Sequence, residues 1–169
     1  MQAILTIDPA RKSGIAFSEM RAHSWITYEA ETIDLSKIKG SGSVYLAYRQ
    51  ELAASISQYR PDFIGFEMPT PRSMTAGRLQ LGMVAIIQML AEEFRIDHGW
   101  CLPNKIKQFH LGKDAYAKGS KDRLYDHIRR RFSVGENSDE TDALALLDLI
   151  IQTQATGEHN KWLNLKVIK

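Results

Sequence analysis

Short apolar runs closed by turn residues dominate the first third of the chain and return twice later. The runs cover residues 3–7, 14–18, 25–33, 62–66 and 100–102. Apolar runs of this length that end at Asp, Pro or Gly are typical of buried strands. The pattern therefore predicts an early meander of three strands followed by two single strands, five in all.

Apolar positions at helical spacing predict four helices. They cover residues 44–60, 78–95, 118–132 and 141–151. The second is apolar on nearly all sides, so a second layer or a partner subunit must cover more than one of its faces. Residues 69–77, which precede it, contain two Pro and one Gly and are predicted to be irregular. Strands grouped early and then alternating with helices indicate an α/β domain with a mixed sheet.

The composition is that of a globular domain and excludes several classes of protein. The chain has 169 residues, of which 44% are hydrophobic and 25% charged, too apolar for global disorder. Its longest apolar stretch, Leu79–Ala91, is too short for a membrane span and is interrupted by two Gln residues. The N-terminus lacks the features of a secretory signal. The single cysteine, Cys101, fits a reducing compartment and a buried strand position, so we expect a cytoplasmic protein with no membrane partner.

The net charge of +2 conceals two segments of opposite sign. Residues 105–131 contain nine Lys or Arg residues against three Asp, whereas residues 136–158 contain six acidic residues and no Lys or Arg. A basic segment of this kind favours a bound polyanion, and an acidic one favours a cation. Two solvated faces would give the same pattern.

Four carboxylates fall where an α/β sheet gathers its ligands. Asp8 ends the first predicted strand, and Glu67 ends the strand after the first helix. Asp139 and Asp142 lie three residues apart at the start of the last helix, with Asn137 or Ser138 as its N-cap, and share one face. Each alone has a structural explanation as a turn, a strand end or a helix start. Together, at strand ends and a helix N-terminus, they predict one acidic cluster.

Such a cluster is costly unless protons or cations neutralise it. Mg²⁺ accepts carboxylate oxygens and keeps phosphate oxygens and waters as further ligands. Two ions about 4 Å apart can activate water and stabilise the leaving oxygen of a phosphodiester. The acidic and basic segments then share one explanation, a nuclease site.

Four segments carry a resemblance to a known family. They read ILTIDPARKSGIAF, DFIGFEMP, LPNKIKQFHLGKDAYAKGSK and NSDETDALALL, in order between residues 4 and 147. The third contains P-x-x-I-K and G-x₅-K elements, and the fourth the helix start D-E-x-D-A-L-A. The chain resembles the RuvC-like Holliday junction resolvases of the ribonuclease H-like superfamily.

The resemblance implies an α/β ribonuclease H-like fold, a mixed five-stranded sheet flanked by helices. Residues 1–156 would form the nuclease domain, and 157–169 a C-terminal tail that docks through Trp162, Leu163, Leu165 and Ile168. It also implies a homodimer that nicks four-way DNA junctions with two Mg²⁺ or Mn²⁺ ions per site, paired through the helix from Leu79 to Phe94. The metal ligands and catalytic carboxylates would be Asp8, Glu67, Asp139 and Asp142, with Lys118 also catalytic. The residues expected to contact DNA are Lys107, Lys118, Lys113, Lys121, Arg72 and Arg78.

Three departures from the family pattern bear on substrate choice. Ala10 replaces the usual Gly after Asp-Pro, and Asp114 replaces the second Gly of the loop before Lys118. Residues 68–71 lack the aromatic that often follows the catalytic Glu and wedges into the junction. These departures leave the base preference open. With them, the chain resembles a phage or prophage member of the family more than a cellular one.

Other interpretations remain open at the level of sequence. A nuclease of the same fold acting on RNA or on other branched or single-stranded DNA fits the same residues, because a fold does not select a substrate. A non-catalytic junction-binding module would have less need of four acids, and an actin-like nucleotide-binding fragment would leave Glu67 and Asp139 unexplained. His110 is predicted to be a solvent-exposed loop residue, and Tyr45, Tyr48 and Tyr59 to lie in the core.

Overall fold

One six-stranded sheet forms the centre of the structure, a computed structural model that describes residues 2–22, 24–70, 74–133, 135 and 137–166. The strands are β1 (Ala3–Asp8), β2 (Lys12–Arg21), β3 (Ser24–Asp34), β4 (Phe63–Glu67), β5 (Asp97–Cys101) and β6 (Asn164–Lys166). They lie in the order β3-β2-β1-β4-β5-β6. β1, β2 and β3 form the antiparallel meander, β1, β4 and β5 run parallel, and β6 is antiparallel to β5. The predicted α/β class with a mixed sheet is confirmed.

Helices cover both faces of the sheet. They are α1 (Ser41–Tyr59), α2 (Met74–Phe94), α3 (Pro103–Leu111), α4 (Ser120–Arg131), α5 (Ser138–Thr156) and α6 (His159–Trp162). A 3-10 helix at Gly112–Tyr116 connects α3 to α4. α1 and α2 enclose one apolar core with the sheet, while α3, α4 and α5 enclose the other. The sheet is therefore the middle of three layers.

The structure corrects the predicted elements in four places. Over the described residues the sheet has six strands rather than five, because β6, only three residues long, is held by its pairing with β5. β5 begins at Asp97 and not at Trp100. α2 begins at Met74, inside the segment predicted to be irregular, since a helix tolerates a Gly such as Gly77 at a cost of about 1 kcal/mol. α3, the 3-10 helix and α6 had no predicted counterpart.

The alternation of side chains along β1 and β4 aims one set at α5. Ile4 joins the core under α5, whereas Leu5 and Ile7 join the core under α1 and α2. Successive side chains point to opposite faces of a strand, so Asp8 faces the same side as Ile4. Phe63 likewise packs beneath α5, which places Glu67 on that side. β1 and β4 are parallel neighbours with Ile7 beside Phe66, so the two carboxylates end adjacent strands.

α2 buries one side and exposes another. Met83, Ile87 and Leu90 are fully buried against the sheet. Leu81, Met89 and Phe94 keep 50%, 42% and 42% of their surface exposed. Part of the apolar surface predicted for this helix is therefore uncovered in the single chain. No helix in the described residues has both the length and the apolar character needed to cross a bilayer.

The segment after α5 packs back onto the body. Leu163 is buried, and Trp162 and Leu165 pack against the core beneath α5. This agrees with the docking expected of these residues, and Ile168 lies outside the described part of the chain.

Candidate active site

Asp8 and Glu67 form the floor of the candidate site at the carboxyl ends of β1 and β4. The loop after Asp8 is held by the Ser13 hydroxyl, which donates to the Asp8 carbonyl oxygen at 2.7 Å. The amide of Met68, just after Glu67, donates to the Cys101 carbonyl oxygen at 2.8 Å. Both carboxylates therefore sit on backbone that hydrogen bonds fix.

The first turns of α5 bring two more carboxylates, Asp139 and Asp142. Asn137 is the N-cap, confirming one of the two predicted caps, and its side chain accepts from the amides of Asp139 and Glu140 at 3.0 Å. The Asn137 amide group also donates to Thr32 Oγ1 at 3.0 Å and to Glu140 Oε1 at 2.8 Å. The start of α5 is thus tied to β3, on the far side of β2.

Close backbone contact presses the start of α5 onto the sheet. A Cβ atom on Gly14, which pairs with Asp8 in β2, would lie 1.8 Å from the Asp139 carbonyl oxygen. Thr6 Oγ1 donates to the Ala143 carbonyl oxygen at 2.8 Å. Only a glycine allows this approach at position 14, and the approach brings Asp139 and Asp142 over the end of β1.

The charges show that the predicted carboxylates share one environment. Burial, followed by the charges of Asp142 and Asp139, raises the pKa of Asp8 to about 7 against the opposing effect of Lys121. Burial, then Asp8 and Asp142, raises the pKa of Glu67 well above its usual value. The structure therefore brings together Asp8, Glu67 and Asp142 from three separate elements, with Asp139 at their edge.

One lysine enters this cluster directly. Lys121 Nζ, in the first turn of α4, lies 2.9 Å from Asp142 Oδ2. Burial lowers the pKa of Lys121, but the hydrogen bond and charge of Asp142, helped by Asp8 and Asp139, outweigh it and raise the pKa overall. Burial raises the pKa of Asp139, and Lys121 opposes this. Lys121 is therefore the ammonium group shared by the carboxylates.

The other basic residues predicted to contact DNA take different places. Lys107, half-buried on α3, opposes the rise in the pKa of Glu67 by its charge and so borders the site. Lys113 and Lys118, around the 3-10 helix, are exposed, as is Arg78 on α2. Arg72 lies outside the described residues.

Oxygen donors make this cluster chemically suited to a hard divalent cation. Within the described residues, no three His, Cys, Asp or Glu side chains are grouped closely enough to enclose a metal ion. Mg²⁺ commonly takes one or two protein carboxylates and fills its remaining positions with water and phosphate oxygens. Asp8, Glu67 and Asp142 supply acidic oxygens, and the raised pKa values of Asp8 and Glu67 show the unfavourable charge that a cation would relieve.

The prediction for His110 was wrong, whereas that for Cys101 is confirmed. The His110 side chain is 1% exposed, and its Nε2 lies 2.8 Å from the Ala145 carbonyl oxygen of α5. It belongs to helix α3, whose start is marked by Pro103 at the first turn, a common signal that the sequence does carry. Cys101 is buried on β5, and burial raises the pKa of its thiol to about 12, which leaves no nucleophilic thiolate.

Two residues that position the start of α5, Gly14 and Thr32, could not be recognised from a local sequence pattern. Gly14 matters because of its contact with Asp139, and Thr32 because it donates to Glu140 Oε1 at 3.0 Å. Both contacts join residues more than a hundred positions apart. Tyr48 is fully buried as predicted, while Tyr45 and Tyr59 pack partly buried against the same core.

Several solved structures with a similar fold are Holliday junction resolvases. Thermus thermophilus RuvC in complex with a Holliday junction substrate matches with a TM-score of 0.73 at 13% identity, over 94% of this chain and 98% of that one. The yeast mitochondrial Holliday junction resolvase Ydc2 matches with 0.63 at 13% identity, over 92% and 82%. Fowlpox virus resolvase, solved with its Holliday junction DNA substrate, matches with 0.52 at 14% identity, over 90% and 98%.

The chain therefore has the ribonuclease H-like fold, in the form found in RuvC and other Holliday junction resolvases. The resemblance found in the sequence is confirmed at the level of the fold. No protein-family model and no curated protein matches the sequence.

Proposed function

We propose that this protein is a metal-dependent endonuclease that cleaves branched DNA, with the four-way junction as its substrate. The observation that carries the proposal is the mutual charge effect of Asp8, Glu67 and Asp142 at one edge of the sheet. β1, β4 and α5 bring these carboxylates close enough for each negative charge to disfavour ionisation of its neighbours. Folding alone does not require such an unfavourable arrangement. Shifted carboxyl pKa values of this origin are typical of functional sites.

The shared fold and the charges around the cluster support the proposed substrate class. RuvC and fowlpox resolvase, which share the fold, are solved with Holliday junction DNA. Lys107 and Lys121 flank the carboxylates here, and Lys113 and Lys118 are exposed on the segment that links α3 to α4. Ammonium groups at these places can pair with phosphates on either side of a scissile bond without reading the bases. Arg78, and Arg72 outside the described residues, complete the proposed DNA contacts.

The proposed reaction is hydrolysis of one phosphodiester bond. Asp8, Glu67, Asp139 and Asp142 would hold two divalent ions, Mg²⁺ or Mn²⁺, which supply an activated water and stabilise the charge on the leaving oxygen. Asp8 and Glu67, on fixed strand ends, orient the site relative to the sheet. Lys118, matched to the family by its motif, and Lys107 would stabilise the negative charge of the phosphate.

Symmetric cleavage needs two sites held in a fixed relation, and we propose a homodimer through α2. Leu81, Met89 and Phe94 expose apolar surface on that helix. Burying such surface against a second copy would supply the driving force for association.

A nuclease panel tests the proposal. Four-way junction, flap, duplex, single-stranded DNA and an RNA–DNA hybrid are incubated with Mg²⁺, Mn²⁺ or EDTA. We expect cleavage of the junction with either ion and none with EDTA. Asp8→Asn and Glu67→Gln should lower cleavage at least about 100-fold while junction binding remains, because each removes a charged oxygen from the site. Glu51→Gln, at an exposed position on α1, is the matched control and should cleave normally.

The panel also separates the alternatives. Preferred cleavage of the hybrid or the flap would indicate a nuclease of the same fold with another substrate. Tight junction binding without cleavage under any ion would indicate a non-catalytic binding module. Full activity of Asp8→Asn would remove the metal-site assignment. The cytoplasmic location, the domain boundary at residue 156 and the phage or prophage origin stay predictions.

A further inference from the structure

Lys121 occupies a place in the site that the family motif does not assign to it. Its Nζ lies 2.9 Å from Asp142 Oδ2, so it contacts one of the proposed metal ligands directly. Lys118, which the motif does assign, is exposed before α4, and its backbone carbonyl accepts a hydrogen bond from Arg123. The two lysines are only three positions apart in sequence, but the first turn of α4 carries Lys121 into the cluster.

The two partners differ in how tightly the protein surrounds them. The Lys121 side chain is 59% exposed, whereas that of Asp142 is 20% exposed. A long side chain that is more than half exposed can change its direction at little cost, because solvent replaces its contacts. Asp142 is fixed by its place near the start of α5, between the N-cap and the contact of Thr6 with Ala143. The lysine is therefore the member of the pair that can leave the contact with less rearrangement of the protein.

The charge of Lys121 reaches the other carboxylates too. It counters the rise of the pKa at Asp8, Glu67 and Asp139. One ammonium group thus offsets part of the mutual repulsion of the entire cluster. A divalent cation bound by the same carboxylates would also offset this repulsion, and it carries twice the charge.

We propose that Lys121 is the site's own counter-cation, competing with divalent metal for Asp142 and, once released, pairing with a phosphate oxygen of bound DNA. This inference rests on the proposed function, because it assumes that the carboxylates bind metal. It makes Lys121 the lysine coupled to metal binding, a role distinct from the phosphate contacts shared by the surrounding basic residues.

Metal binding without DNA provides the first test. Mn²⁺ is titrated into the full chain by isothermal calorimetry, comparing wild type with Lys121→Met and Lys118→Met. We expect Lys121→Met to bind Mn²⁺ about two- to fivefold more tightly than Lys118→Met, because a partly exposed ion pair contributes a free energy in this range. Both variants lose one positive charge from the same region, so their difference isolates the contact with Asp142. Equal affinities for the two variants would overturn the proposal.

Cleavage at saturating Mn²⁺ provides the second test, since all sites then hold metal. We expect Lys121→Met to cleave the junction at least about tenfold more slowly than wild type, because the charged contact with the phosphate is lost. Lys121→Arg keeps a positive charge and should recover most of the rate. A normal rate for Lys121→Met at saturating metal would overturn the transfer to DNA.

The two failures can be told apart. Wild-type protein that binds Mn²⁺ but cleaves none of the nucleic acids would refute the proposed function and leave the competition at Asp142 measurable by calorimetry. Wild-type protein that cleaves the junction, with Lys121→Met and Lys118→Met alike in Mn²⁺ affinity, would refute only the role of Lys121.

Discussion

Asp8 links the chemistry of the site to the stability of the protein. Burial and Asp142 raise its pKa from 3.8 to about 7, so the folded protein holds this proton more tightly than the unfolded chain does. Raising the pH from about 4 to above 7 therefore removes stability, because the folded state must accept a charge it disfavours. A bound divalent cation would reverse this penalty.

Asp8→Asn should remove that penalty. In EDTA at pH 8, we expect the variant to be more stable than wild type by about 1–2 kcal/mol, roughly 3–6 °C in Tm, and the gain should shrink towards pH 4. Thermal unfolding followed by circular dichroism across this pH range measures it. Asp34→Asn is the control: hydrogen bonds from Ser36 lower the pKa of this exposed carboxyl, so its replacement brings no gain at pH 8. A gain from Asp8→Asn that did not depend on pH would contradict the assignment of the charge.

Gly14 sets the distance between the sheet and the start of α5. A Cβ atom at this position would lie 1.8 Å from the Asp139 carbonyl oxygen, and the backbone would have to move by more than about 1 Å to reach ordinary contact. The residues displaced would be those that carry the Asp139 and Asp142 carboxylates.

Gly14→Ala should therefore impair catalysis and also lower stability. We expect junction cleavage to fall about 100-fold, because a shift of 1 Å in catalytic groups has an effect of this size. The loss of unfolding free energy should be about 1–3 kcal/mol. Gly42→Ala, in α1 with nothing near its added Cβ, is the matched control: cleavage should be unchanged, and the unfolding free energy should not fall and can rise by up to about 1 kcal/mol, because Ala favours the helix. Unchanged cleavage in Gly14→Ala would show that α5 adjusts without disturbing the site.

At the scale of the helices, the buried carboxylate of Asp148 on α5 contacts both α3 and α4, the helices that carry most of the basic residues. Asp148 accepts from Arg131 Nε of α4 at 2.8 Å and from Gln152 Nε2 at 2.7 Å, with a side chain only 2% exposed. His110 of α3 lies 3.7 Å away, but its Nε2 faces a carbonyl oxygen and must carry the proton there. Burial lowers the pKa of His110, so Arg131 supplies the countercharge.

Asp148→Ala should loosen α3 and α4 together. We expect the unfolding free energy to fall by about 2–4 kcal/mol, since hydrogen-bonding groups in a buried network lose their acceptor. Urea unfolding measures this value. Glu93→Ala removes the exposed ion pair between α2 and Arg49 of α1 and should cost less than about 1 kcal/mol. Equal costs for the two variants would mean that burial adds nothing to the Asp148 contacts.

Elements with strong local patterns could be predicted from the sequence, and the rest could not. β1, β4 and α5 have continuous apolar runs with clear ends, and each was found within a few residues of its bounds. β6 has three residues and depends on β5, so no local pattern marks it. α3 was missed because its burial comes mainly from contacts with α4 and α5 rather than from a long apolar stripe.

At the scale of the whole molecule, we predict that negative charges introduced on α2 will break the proposed dimer. Leu81→Asp with Met89→Asp should convert a dimer at micromolar concentration into a folded monomer, as light scattering and circular dichroism would show. A charge buried in an apolar interface is strongly unfavourable, whereas on an exposed helix it is tolerated. Leu46→Asp, at a 67% exposed position on α1, controls for a general effect of surface charge. Wild-type protein that is monomeric, or a dimer broken only by Leu46→Asp, would contradict pairing through α2.

The sequence by itself determined the α/β class and nominated Asp8, Glu67, Asp139 and Asp142, because strand ends and a helix start are marked by local residue patterns. The tertiary structure decided that Asp8, Glu67 and Asp142 act on one another, and that Lys121 rather than Lys118 pairs with Asp142. Those facts depend on the approach of α5 to β2 and on the direction of α4. Contacts between residues far apart in the chain set both, and they leave little trace in the local order of residues.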